Sequence, residues 1–214
     1  MLFTRKRKDH MKVFVIGHNK TGTTSIGRAL SDLGYRLGSQ PEAERLIEDW
    51  AQRNFHSIVN YCKTADAFQD IPFSFDYTYQ AMDYAFPGSK FILTIRKNGE
   101  EWYESLTRFH SKIVGKGRLP TADDLKQYSL NGKGWLWRAE QVAYGINERT
   151  LYDKELYIQF YEMHNKRVKD YFRYRQDDLL VLNLSDSNSM DVLCRFLGKP
   201  VSRQRMPHLN KSAT

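Results

Sequence analysis

Short apolar runs alternate with amphipathic segments along this chain. Val13, Phe14, Val15 and Ile16 make the first run. Four such residues suit a buried strand and are too few for most helices. Gly17 closes the run. Beyond Gly22, residues Ile26, Ala29, Leu30 and Leu33 recur at helical spacing. The pattern predicts a strand over 12–17 and a helix over 23–34, with Gly34 where a C-cap is expected. Ser39-Gln-Pro-Glu reads as a helix start. A helix over 41–53 would place Ala43, Leu46, Ile47 and Trp50 on one face, and a short helix over 55–62 follows. Residues 65–70 read as a second strand ending near Asp70, since Pro72 keeps a helix from running through. The aromatic-rich stretch 73–85 reads as a helix, and Phe86-Pro-Gly-Ser89 as a turn.

Lys90 to Arg96 is nearly continuous in apolar character, as a strand buried on both faces would be. Asn98 then caps a helix through Trp102, Tyr103 and Leu106. Residues 115–134 are polar and broken by Gly, Pro and Asn, so they are expected to form a mobile lid or substrate loop. Helices are expected over 135–147 and 153–175. Leu179 to Leu182 should form a last buried strand, followed by a helix near 190–197 that Gly198 and Pro200 end. Strands alternating with helices, with no repeat and no linker, give one α/β domain with a parallel sheet. Its expected span is 12–214, after a basic tail over 1–11.

Charge narrows the choice of ligand. Lys and Arg number 33 against 25 Asp and Glu, a net +8. That suits an anionic ligand or substrate, or a polyanion. No apolar stretch approaches a membrane span, and 1–10 has no apolar core of the signal-peptide kind. Cys62 and Cys194 lie far apart, without metal-ligand spacing, and read as reduced residues of a cytoplasmic protein.

The candidate chemistry starts in the first strand–loop–helix unit. A glycine-bearing loop running into a helix N-terminus directs backbone amides and the helix dipole at an anion. Thr21, Thr23, Thr24 and Ser25 add hydroxyls, and Lys20 adds a mobile charge. Gly17 and Gly22 keep the glycine spacing of a nucleotide-triphosphate P-loop, GxxxxGK(S/T), yet Thr23 stands at the lysine position and the lysine has moved to Lys20. A P-loop NTPase also needs a metal-binding carboxylate after a buried strand. Here the strong strand ends in Arg96, which is placed to bind an anion at the active edge of the sheet, or to pair with Glu100 or Glu101. Ser105 follows on the next helix.

Lys20-Thr21-Gly22-Thr23-Thr24 resembles the 5′-phosphosulfate loop of the sulfotransferases that use 3′-phosphoadenosine 5′-phosphosulfate (PAPS). Arg96 and Ser105 are similar to that family's 3′-phosphate pair. Residues 86–106, 177–200 and 206–210 resemble a bacterial-type subgroup. The resemblance implies a P-loop-like three-layer fold and transfer of a sulfuryl group from PAPS to a hydroxyl or amine of a carbohydrate or small molecule, releasing 3′,5′-ADP. It implies donor binding by Lys20, Thr21, Gly22, Thr23, Thr24, Ser25, Arg96 and Ser105. Lys20 would act in catalysis, and Asp70 would be the general base. No metal and no nucleic acid are expected. Asp66, Asp76, His18 and His110 are alternative bases, with His18 expected to face solvent. Asp70 could instead cap the following helix. The aromatic stretch 73–86 could line the acceptor pocket. Two departures stand out: Ser25 replaces the tryptophan usual after the loop, and the C-terminal RKGxxG segment is absent. Arg203, Arg205 or His208 would have to substitute. The rival readings are a P-loop-type kinase of a small molecule or nucleotide, and a non-catalytic polyanion binder.

Overall fold

The computed structural model describes residues 11–201 and 205–207. Strand β1 covers Val13–Val15, helix α1 Thr23–Asp32, α2 Gln40–Glu44, α3 Ile47–Ala51 and α4 Phe55–Tyr61. Then come β2 (Ala67–Phe68), α5 (Thr78–Ala85), β3 (Lys90–Ile95) and α6 (Gly99–Ile113). The chain continues through α7 (Ala122–Gln127), α8 (Trp135–Tyr144), α9 (Lys154–Tyr171), β4 (Leu179–Asn183) and α10 (Ser189–Phe196). Among the described residues the strands form one parallel sheet in the order β2-β1-β3-β4. Phe14 pairs with Phe68 on one side and Phe91 on the other. This is a single α/β domain with helices on both faces of its sheet.

The alternation of side chains along β1 divides the core. Phe14 and Ile16 face an aromatic layer, where the Phe14 ring stacks on Phe68 at 5.6 Å and on Phe91 at 5.5 Å. Val13 and Val15 face the opposite layer, with Ile26 and Leu30 of α1 and Leu193 of α10. Burying a ring such as Phe14 contributes about 1.5–3 kcal/mol. A third cluster, centred on Trp102, Leu106 and Tyr157, packs α6 to α9 together.

Gly34 sits just past α1 with φ +88°, and the Asn98 side chain accepts the Glu101 amide at 2.8 Å, both as the pattern predicts. Four expectations need correction. The helix expected over 41–53 divides at Arg45 and Leu46 into α2 and α3, where the Glu44 carbonyl takes the Trp135 indole N–H at 3.4 Å. The helix expected from 73 starts only at Thr78, and Phe73 and Phe75 pack into the core from turns. The last strand is an edge strand, and Val181 is 38% exposed. An apolar run does not distinguish an edge from a centre. Finally, 115–134 is not one open loop. Thr121 and Asp124 form a capping box that starts α7, and Leu125 is buried beneath it.

Candidate functional site

The carboxyl ends of all four strands meet in one cleft of about 580 Å³. Ligand sites of parallel α/β sheets lie at this edge. The loop after β1 contributes Lys20 to Thr23, the segment after β2 contributes Asp70, Arg96 directly follows β3, and β4 ends at Asn183.

Close packing fixes the loop. A side chain at Gly17 would put its Cβ 2.2 Å from the Thr94 carbonyl oxygen, so only glycine lets the loop approach β3. Gly22 has φ +101° and sits against Leu184. Thr21 is buried; its hydroxyl donates to the His18 carbonyl at 2.5 Å and lies 2.6 Å from the Thr94 hydroxyl. It therefore braces the loop from within. Trp102 donates its indole N–H to the Asn19 carbonyl at 3.0 Å. Gly22 is the N-cap of α1 and offers no side-chain acceptor. The first amides of α1, at Thr23, Thr24 and Ser25, have no carbonyl four residues back within the helix. All three residues line the cleft.

Arg96 ties the cationic side together. Its Nε donates to the Lys20 carbonyl at 2.8 Å, Nη2 to Ser105 Oγ at 3.4 Å, and Nη1 lies 3.2 Å from Glu101. The ion pair with Glu101 and the contact with Ser105 thus coexist. Lys20 has φ +65°, and its ammonium sits 3.6 Å from the centre of the Phe109 ring. Burial first, then the Arg96 charge, push its pKa down to about 8.

Asp70 stands across the loop with φ +58°. Its carboxylate accepts the Thr23 hydroxyl and the Ile71 amide, each at 3.0 Å. Burial raises its pKa against these bonds and the Lys20 charge. No helix starts behind it; the next has Tyr77 as its N-cap, so the capping role is excluded.

Of the alternative bases, only His110 lines the cleft. Asp66 accepts the Arg36 amide at 3.3 Å, outside the cleft. Asp76 is held by His164 at 2.9 Å and by Arg167. His18 does not face solvent: its ring is buried 4.6 Å from that of His164, and burial pushes its pKa well down. His110 reaches the cleft wall, but Nδ1 is 2.9 Å from the Tyr152 hydroxyl and Nε2 is 4.0 Å from Glu140. Burial drives it down to about 3. Arg205 is exposed and does not line the cleft; Arg203 and His208 fall outside the described residues.

The aromatic stretch 73–86 supplies core rather than cleft. Phe109, Ile113, Leu130, Trp135 and Leu136 form the apolar wall instead, with Glu44 beside them. Of these, Leu130 lies in the segment expected to form a substrate loop, and Phe109 and Ile113 continue the Ser105 face of α6 at four-residue steps. A second groove, of about 630 Å³ between α6 and α9, lies away from the strand ends and is lined by Glu100, Lys154 and their neighbours. It holds none of this constellation. Among the described residues no group of three or more His, Cys, Asp or Glu is placed to hold a metal ion, and no helix is long and apolar enough to cross a membrane.

A glycine-bent loop, a helix start without a side-chain cap and an arginine just past a strand end meet in one cleft. The model of the sulfotransferase domain matches residues 12–214, and the chain belongs to that family. Among curated proteins, none matches the chain.

Proposed function

We propose that this protein transfers a sulfuryl group from PAPS to the hydroxyl of a small-molecule or carbohydrate acceptor. The observation that carries this reading is the convergence of Lys20, the α1 amides and the Arg96–Ser105 pair in one cleft with Asp70. Two separate anion contacts suit a nucleotide with phosphates at both 5′ and 3′ positions. The loop amides and the side chains of Lys20 and Thr23 to Ser25 take the 5′ side, and Arg96 with Ser105 takes the 3′-phosphate.

The acceptor oxygen attacks sulfur, and the bond from sulfur to the phosphate oxygen breaks. Its electron pair leaves on the 5′-phosphate, which departs as part of 3′,5′-ADP. The acceptor proton passes to Asp70, whose raised pKa makes it a better base than an exposed aspartate. Lys20 and the loop amides neutralise charge as it grows on the leaving phosphate; such donors typically contribute ~3 kcal/mol each. In-line placement, charge stabilisation and removal of the acceptor proton are what the mechanism asks of the protein.

Thermal shift with 3′,5′-ADP and 5′-AMP tests the donor assignment. At about 100 times its dissociation constant, 3′,5′-ADP should add ~2.7 kcal/mol, and 5′-AMP at the same concentration clearly less. Equal shifts would remove the 3′-phosphate role from Arg96 and Ser105.

A further inference from the structure

The cleft changes character along α6. The face of this helix that lines the cleft carries Glu101, Ser105 and Arg108, then Phe109 and Ile113. Ser105 to Ile113 spans about 12 Å of helix. The Lys20 ammonium on Phe109 marks the change from polar to apolar. Beyond it stand Leu130, Trp135 and Leu136, and among them the Glu44 carboxylate.

Among the described residues Glu44 makes no ion pair, whereas several other half-buried carboxylates do. Glu101 has Arg96, Asp76 has Arg167 and Asp83 has Arg175 as cationic partners. Glu44 accepts instead from two neutral amides, Gln40 at 3.2 Å and Asn131. The side chains acting on it are Asn131, Gln40 and Asp70, none of them basic. Two amides hold this carboxylate in place on the cleft wall without neutralising it, in a chain that carries a net +8. An uncompensated, partly desolvated carboxylate attracts a cation. The walls around it favour an apolar body, and Asp70 faces the reacting hydroxyl.

We infer, resting on the sulfotransferase reading above, that the acceptor is an amphipathic hydroxylated amine. Its hydroxyl lies between Asp70 and Lys20, its apolar body lies against Trp135, Leu130 and Leu136, and its protonated amine meets Glu44.

Equilibrium binding to the protein saturated with 3′,5′-ADP, at neutral pH, tests the assignment. The probes are tyramine, para-ethylphenol and para-hydroxyphenylpropionate, which share a phenol and differ in the charge on the side arm. Tyramine should bind about tenfold tighter than para-ethylphenol, as fits an ion pair between exposed and fully buried limits, and the carboxylate should bind weakest. In Glu44→Gln the ratio of tyramine to para-ethylphenol affinity should fall to about one. The ranking on the unaltered protein decides the matter even if the variant misfolds. Equal binding of tyramine and para-ethylphenol, preference for the carboxylate, or no binding of any probe to the nucleotide complex overturns the acceptor assignment and leaves the donor reading standing. A tyramine preference that survives Glu44→Gln overturns the role of Glu44. Failure to bind 3′,5′-ADP at all overturns the donor reading, and this inference with it.

Discussion

Raising the pH from 7 to 9 should weaken 3′,5′-ADP binding about tenfold, through Lys20. In the free protein its ammonium is packed on Phe109 with Arg96 nearby, and burial and that charge bring its pKa down to about 8. A bound 5′-phosphate supplies the counter-charge, so the bound lysine keeps its proton across this range. Above pH 8, binding then requires uptake of one proton. By linkage, affinity falls by the factor 1 + 10^(pH − 8), which is about 1.1 at pH 7, about 2 at pH 8 and about 11 at pH 9. The change from pH 7 to 9 is about 1.4 kcal/mol. Arg96 stays charged throughout, and a phosphate monoester, with its second pKa near 6, is largely ionised from pH 7 upward.

Calorimetry in two buffers of different ionisation enthalpy would count the protons directly, with uptake near one at pH 9. Lys20→Arg keeps the charge and removes the titration, so its affinity should stay flat from pH 7 to 9. This variant also cancels contributions common to both proteins, including that of buried Glu140, whose pKa burial raises to about 7. The sign for the free fold is opposite. A lysine with a depressed folded pKa binds fewer protons folded than unfolded between about pH 8 and 10.5, so its contribution to stability improves as pH rises there. A pH-independent affinity in the unaltered protein, or an equal fall in Lys20→Arg, would refute the placement of Lys20 beside the bound phosphate.

Two further substitutions probe other parts of the cleft. Asp70→Asn should lower turnover by roughly 10²–10⁴-fold while melting temperature and 3′,5′-ADP affinity hold, since the amide keeps the shape, its oxygen can still accept from the Ile71 amide and its NH2 can donate to the Thr23 hydroxyl; steady-state turnover near that of the unaltered protein would take Asp70 out of the mechanism. Gly17→Ala drives a methyl to within 2.2 Å of a carbonyl of β3, where the backbone cannot give way cheaply, so scanning calorimetry should show at least the ~1–3 kcal/mol loss typical of an overpacked core. An unchanged melting temperature would mean that the loop does not need its close approach to Thr94.

The loop side of the cleft was legible because its parts are local. One stretch of fourteen residues, Lys12 to Ser25, carries strand, glycines, lysine and helix start, and no distant residue is needed to see them together. Arg96 and Ser105 are again a strand end and the next helix. Orientation was not legible. Thr21 and Thr23 look alike in a list of hydroxyls, yet one braces Thr94 and the other meets Asp70. His18 looks like a loop residue and is buried against His164, because the loop turns inward at β3. Phe73 and Phe75 had the composition of a pocket wall; only the sheet order, which sets their layer under Phe14, makes them core. The Thr121–Asp124 capping box stood in plain view, outweighed by the Gly, Pro and Asn around it.

The acceptor side was hidden for a deeper reason. Backbone amides can make a phosphate cradle, and consecutive amides come from consecutive residues, so the donor site is written as a motif. An acceptor pocket is made of side chains that tertiary packing delivers. Glu44, Ile113 and the neighbouring Leu130 and Trp135 come from three separate parts of the chain, and no short spacing relates one part to another. Even the direct links, the Asn131 amide on the Glu44 carboxylate and the Trp135 indole on the Glu44 carbonyl, join positions 87 and 91 residues apart. On the proposed reading, reaction class and substrate choice would therefore separate physically in this fold. Changes in α2, the 128–134 segment or α8 would reshape the apolar wall while leaving Gly17, Gly22 and the amides of α1 in place.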